Sequence, residues 1–319
     1  MTNPPGPVPS ATPGSKTGFS ANELTEVALA KVNLSLRVLG RRPDGYHELE
    51  SIVAFATTGD RLSLAFGPVF ELRIDGPFQA ELAGENLVAK AAHIAAEAAG
   101  GALQSELQSP SQSGLQSGRV TLTKNLPVAA GLGGGSADGA AMLRLLQRAN
   151  PALAGKLDWP SLALQLGADV PACLASRAAL MTGIGERLAP IAQLPPVAIL
   201  LVNPRVPLAT AAVFRALAAP PIAGDVPSLQ PPTYRDFADM IAGLAASSND
   251  LEPAARRLCP PIGDVLASLG RLPGARLVRM SGSGPTCFAL FATLAEAEAA
   301  ARLVGQAQPN WWVAAATLA

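Results

Sequence analysis

The sequence predicts a two-domain α+β protein, on three observations. Its 319 residues exceed one ordinary core yet fall short of three domains. The first ordered stretch alternates apolar and polar residues in the manner of a sheet, and a second α/β unit follows a proline-flanked change in composition.

Order is expected to begin after residue 20, because "MTNPPGPVPSATPGSKTG" has neither the apolar core of a secretory leader nor the arginines of a transit peptide. Residues 1–20 read as a disordered tail. Strands follow in "KVNLSLRV", "ELESIVAFA", "DRLSLAF" and "FELRIDG". "ENLVAKAAHIAAEAAGG" has helical apolar spacing and a glycine stop. Residues 101–118 repeat Leu-Gln-Ser without a structural period and read as a low-complexity surface insertion. The strand "RVTLTKNLP" then leads into a glycine-rich loop and its helix, closing a first domain of residues 21–192.

The second domain, residues 193–319, opens on "PPVAILLVNP", too short and proline-bounded to span a membrane. Helices are expected in "ATAAVFRALAA", "YRDFADMIAGLAAS" and "DLEPAARRL". Strands are expected in "ARLVRMSGSG" and "PTCFALFA", then the helix "LAEAEAAARLVGQA" and a last strand "WWVAAAT".

Lys plus Arg and Asp plus Glu are both 24, so no global basic field favours a nucleic-acid partner. Cys173, Cys259 and Cys287 are odd in number and far apart, which points to free thiols in a reducing, cytoplasmic setting.

The chemistry concentrates in "GLGGGSADG", residues 131–139. The unpaired N–H groups at a helix start sit at the positive end of its dipole, and glycine removes the Cβ that would keep an anion away. A phosphate cradle answers this pattern; a flexible loop capped by Ser136 or Asp138 is the ordinary alternative. No Gly-Lys-Ser/Thr follows, which excludes a Walker-type loop, and Ser136 at the third-glycine position weakens a dinucleotide fingerprint. Two further segments are polar where a fold alone would not require it. In "AKVNL", Lys31 and Asn33 share one strand face, and in "LGADVPACLA", Asp169 stands among apolar neighbours.

In this order, "AKVNL", "DGYHEL", "LPVAAGLGGGSADGAA", "GADVPACL", "GIGERL" and "MSGSGPTCFALF" resemble the small-molecule kinases named for galactose, homoserine, mevalonate and phosphomevalonate, the GHMP kinases. "GRRPDGYHEL" narrows the resemblance to the branch that phosphorylates the 2-hydroxyl of 4-(cytidine 5'-diphospho)-2-C-methyl-D-erythritol in non-mevalonate isoprenoid synthesis. The resemblance implies an N-terminal domain like ribosomal protein S5 domain 2 and a ferredoxin-like C-terminal domain.

It also implies ATP as phosphoryl donor, with Mg²⁺ carried on the nucleotide. Carried over residue by residue, Asp169 takes the hydroxyl proton and Lys31 orients it. Gly131, Gly133, Gly134, Gly135 and Ser136 line the triphosphate, Ser136 as a hydroxyl contact to phosphate or its Mg²⁺. Gly282, Ser283 and Gly284 close from the second domain, a simple hairpin turn being the alternative. Asn86 and Lys124 lie near the adenine, or else are a helix cap and an exposed strand-end lysine. Tyr46 and His47 read the cytosine, and Asn33 touches the erythritol. Two positions depart from the pattern: Gly139 stands in place of alanine, and Ala209 in place of a serine before Thr210, which leaves that loop's hydroxyl contact out of the expected site.

Overall fold

The computed structural model describes residues 23–82, 84–100, 115–222 and 230–319; the expected tail, and the expected insertion up to residue 114, lie outside them. The chain begins with β1 (Glu23–Asn33), β2 (Arg37–Arg41) and the long β3 (His47–Phe66), followed by β4 (Glu71–Asp75). After a 3₁₀ turn (Gln79–Glu81) come α1 (Leu87–Ala98), β5 (Gly118–Thr123) and α2 (Gly134–Ala149). Three short helices, α3 (Pro151–Ala154), α4 (Trp159–Leu166) and α5 (Val170–Ala175), precede the hairpin of β6 (Ala179–Gly183) and β7 (Arg187–Pro190).

The second unit starts with β8 (Ala198–Asn203). It continues through α6 (Thr210–Leu217), α7 (Phe237–Ala245), α8 (Glu252–Leu258) and α9 (Pro261–Leu269). It ends with β9 (Leu277–Met280), β10 (Cys287–Phe291), α10 (Leu294–Ala307) and β11 (Trp312–Thr317).

The first sheet is built on β3, which pairs with β1, β2, β5 and β6. Two strands, "ELESIVAFA" and "DRLSLAF", are expected where β3 runs unbroken through "TTGD". Instead Leu29 faces Gly59 and Ala30 faces Ala56, so Thr57 and Thr58 are absorbed as a bulge. A side chain on Gly59 would collide with the Ala28 carbonyl, so glycine is what lets β1 pass. The expected insertion also ends early: Leu115 is buried in the core, and Gly118 already belongs to β5. An apolar leucine beside the returning strand has more to gain inside than on the surface.

Small side chains bring α1 close to α2: Ala91, Ala92, Ala95 and Ala96 are all fully buried in the core that the two helices share. Gly139 belongs to this contact. A Cβ there would stand 3.2 Å from that of Leu87, so the departure from alanine relieves crowding rather than merely weakening the helix.

The second sheet is antiparallel in the order β11-β8-β10-β9, the fourth-first-third-second arrangement of a ferredoxin-like unit. Its two faces enter different cores. Leu200, Val202, Cys287 and Ala289 pack under the helices of the second unit, whereas Ile199, Leu201, Phe288 and Leu290 pack against Val32, Leu34 and Ala54 of the first. That is why β8 reads as an uninterrupted apolar run. The two units therefore share a core.

Arg279 on β9 locks this joint. Its buried guanidinium donates to the carbonyls of Leu34, Leu244 at 3.0 Å and Ser247 at 2.6 Å. Arg279→Ala would strand these acceptors, so urea unfolding should show a loss of about 3 kcal/mol, the scale for buried polar groups left unpaired.

Candidate functional site

A cleft of about 1240 Å³ lies between the two units, lined from both sides. Lys31 and Asn33 reach its floor from one face of β1, while Val32 and Leu34 point into the shared core. Lys31 is almost fully buried and donates from Nζ to Asp169 Oδ1 at 2.7 Å. Asp169 stands in the turn just before α5, its carboxyl uncommitted to capping and 39% exposed toward the cleft. An anion and a cation thus meet at the floor, with the carboxylate still accessible. Asn33 donates to Ser51 Oγ at 2.7 Å, which fixes its amide.

Gly131, Gly133, Gly134, Gly135 and Ser136 all line the cleft, and α2 starts on Gly133 in a left-handed conformation, with no side-chain cap from Ser136 or Asp138. The first turn of α2 therefore offers bare N–H groups. Gly131 has a second reason to lack a side chain. A Cβ there would run into the Ser281 carbonyl, and one on Gly282 would come within 3.1 Å of the Gly131 carbonyl. The two glycine loops are packed face to face, held by Ser281 Oγ donating to Gly131 O at 2.9 Å and by Thr286 N donating to Ala130 O at 3.2 Å.

Gly282 and Ser283 line the cleft, but Gly284 does not. Its N–H closes the turn onto Ser281 O at 2.9 Å, and its Cβ position is blocked by Met280, so it shapes the loop from behind. Asn86 stands beside the cleft as a helix cap. It caps α1, its Oδ1 accepting from Val88 N at 2.8 Å, and the neighbouring Leu87 takes the place at the cleft wall.

Lys124 does line the cleft, though not as an exposed strand-end lysine: it is buried between Asp60 and Asp138, at 2.7 Å from the latter. Burial alone would lower the Lys124 pKa, but the two carboxyls outweigh it and keep the ammonium charged. Asp60 also accepts from Asn125 N at 2.6 Å and Leu126 N at 2.8 Å, whereas Asp138 Oδ1 meets no partner among the described residues. Desolvation accordingly pushes Asp138 up to about 8, so the shared proton rests there.

At the far end, the "RPDG" turn is set by Gly45 N donating to Arg42 O at 3.0 Å and Tyr46 N to Asp44 Oδ1 at 3.0 Å, with Gly45 at positive φ. It presents Tyr46, 59% exposed, and His47 to the cleft. His47 faces Phe214 of α6, ring centroids 4.8 Å apart. Burial, then the nearby Arg41, lowers the His47 pKa, leaving a neutral imidazole at pH 7. Phe214 escapes a sequence reading because a phenylalanine on a helix usually marks core. Thr210, left out on sequence grounds, also lines the cleft, its hydroxyl 2.8 Å from that of Ser283.

Residues 86–177 match the family model described as GHMP kinases N terminal domain, and residues 226–309 match GHMP kinases C terminal. A 4-diphosphocytidyl-2-C-methyl-D-erythritol kinase of Rhodopseudomonas palustris (strain BisB18) is 50% identical over 312 residues, 94% of this chain and 96% of that one. The chain belongs to the 4-diphosphocytidyl-2-C-methyl-D-erythritol kinase family. Another member, from Nitrobacter hamburgensis, is 47% identical over 95% of this chain and 98% of its own. A crystal structure of a 4-(cytidine 5'-diphospho)-2C-methyl-D-erythritol kinase superposes with a TM-score of 0.69 at 37% identity, covering 92% of this chain and 99% of that one. The fold is that of a two-domain GHMP kinase, and membership of this kinase family implies the use of ATP.

Among the described residues of this family member, no helix is long and apolar enough to cross a membrane, and no group of three or more His, Cys, Asp or Glu side chains is placed to hold a metal. The three cysteines are free and buried.

The raised Asp138 pKa carries a sign for stability. Between the ordinary carboxylate range and about pH 8 the native state holds a proton that the unfolded chain releases, so this residue makes stability fall as pH rises through that window. Asp138→Asn keeps the neutral shape and removes the titration. Urea unfolding from about pH 5 to pH 8 should show the variant gaining on the native chain as pH rises.

Proposed function

We propose that this chain transfers the γ-phosphoryl group of ATP to the 2-hydroxyl of 4-(cytidine 5'-diphospho)-2-C-methyl-D-erythritol. The observation that carries the reading is the 2.7 Å pair of Lys31 and Asp169 on the floor of a cleft with a glycine-rich helix start on one side and an aromatic cradle at the other end.

The hydroxyl oxygen bonds to the γ-phosphorus as the bond to the β,γ-bridging oxygen breaks and ADP leaves. The hydroxyl proton passes to the accessible carboxylate of Asp169. The transition state is loose, so an ordinary carboxylate suffices as base once it is aligned. Lys31 holds that carboxylate and places positive charge where the transferring group gains negative charge. Bare N–H groups of Gly134 and Gly135, with the Ser136 hydroxyl, receive the triphosphate. The Ser136 hydroxyl would be the contact from this chain to a Mg²⁺ carried on the nucleotide, which would neutralise phosphate charge while keeping water ligands.

Tyr46, neutral His47 and Phe214 hold the cytosine by ring contacts and its polar edge, and Asn33 faces the erythritol. The buried free thiols fit a reducing, cytoplasmic setting.

ADP release with ATP and Mg²⁺ should appear with the cytidine substrate and not with mevalonate or homoserine. Asp169→Asn should fold normally and lose at least about a hundredfold in turnover; near-normal turnover would remove the base from the mechanism. Phe214→Ala should raise KM for the cytidine substrate by about tenfold, on the scale of one lost base–aromatic stack, with KM for ATP little changed.

A further inference from the structure

The cluster of Asp60, Lys124 and Asp138 has no part in the proton transfer, yet it stands immediately behind the first turn of α2. Lys124 Nζ would lie only 3.7 Å from a Cβ on Gly134. We propose that Asp138, together with Asp60, is a positioning residue for the nucleotide: the two carboxyls fix the Lys124 ammonium in the cleft wall so that its remaining N–H meets the bound ATP. This inference rests on the kinase reading of the cleft.

An ammonium has three donors. In Lys124 one goes to Asp60 Oδ2 and one to Asp138 Oδ2, which leaves one for a ligand. A lysine side chain that is otherwise free must surrender considerable rotamer entropy on binding; here it is ordered in advance. Asp60 is anchored independently, because its other oxygen accepts from the backbone N–H groups of Asn125 and Leu126 at the entry to the glycine loop. Asp138 sits on α2, at the exit of that loop. The cluster therefore ties both ends of the loop to one cation.

The charges also assign different parts to the two acids. Asp60, with three donors upon it, balances the ammonium. Asp138, with one donor and an unpartnered Oδ1, contributes an acceptor rather than a charge. Around it stand Asp60 from β3 and Lys124 at the end of β5, and from within α5 Cys173, whose thiol burial pushes up to about 12 and so keeps neutral. From α1 and α4 the neighbours of the adjoining Gly139 are the apolar Leu87 and Leu166.

An amide should therefore replace the Asp138 carboxyl without loss, and an apolar side chain should not. In the full-length chain, Asp138→Ala and the similarly sized Asp138→Leu should raise KM for ATP, and the Kd for MgADP by calorimetry, by about fivefold or more, the scale of a weakened hydrogen bond to a charged group. KM for the cytidine substrate should stay within about twofold, and Asp138→Asn should restore both nucleotide constants. Unchanged nucleotide constants in the folded Ala or Leu variant would overturn the proposal. So would equal rises in both KM values, which mark general loosening, or failure of Asn to rescue. If neither apolar variant folds, Asp138→Asn decides: native-like MgADP binding supports the acceptor role and weakened binding overturns it. Absence of turnover by the native chain would count against the kinase reading, while the MgADP measurement would still judge the positioning of Lys124.

Discussion

The Ser281 hydroxyl joins three segments that must meet for a cleft to exist. It accepts from Asn33 N at 3.1 Å and donates to Gly131 O at 2.9 Å, bringing β1, the glycine loop before α2 and the β9–β10 turn to one point. That approach is possible only because Gly131 and Gly282 lack side chains at the contact. Both glycine loops are thereby held by backbone packing before any anion arrives. Preorganised donors lose little on binding, which is the condition under which a helix start makes an effective phosphate site.

Two lysines border the cleft in different electrostatic settings. Among the described residues Lys31 has one partner, Asp169, whose carboxylate remains partly solvated and free to engage a substrate. Lys124 has two, both sealed from water. Desolvating two acids beside one base cannot leave all three charged at tolerable cost, so one carboxyl keeps its proton and the cluster becomes neutral overall. The first arrangement suits a group that must exchange a proton during each turnover. The second suits a scaffold whose geometry should not change.

Much of the architecture was legible because its signals are local. Alternation marked the strands, the glycine stop marked the end of α1, and α10 lies in the expected segment, where the structure adds a capping box of Thr293 and Glu296. Where reading failed, a local pattern had a distant cause. "TTGD" behaves as a bulge because β1 crosses it, and Leu115 turns inward because a core lies beneath it. Gly284 looks like its neighbours in "GSG", yet only the packing of Met280 under it separates the residue that shapes the turn from those that face the cleft.

The order of motifs along the chain by itself determined the family, the glycine-rich helix start and the candidate pair Lys31 and Asp169, because residue type and spacing are properties of one segment or of a sequence of segments. Tertiary structure alone decided which polar residues share a partner. Asp60 and Asp138 are 78 positions apart, and neither announces that the other competes for the same ammonium. Phe214 becomes an aromatic wall only because α6 is set opposite the His47 turn. Hydrogen bonds, desolvation and ring contacts act over a few ångströms of space, and separation along the chain carries no record of that distance.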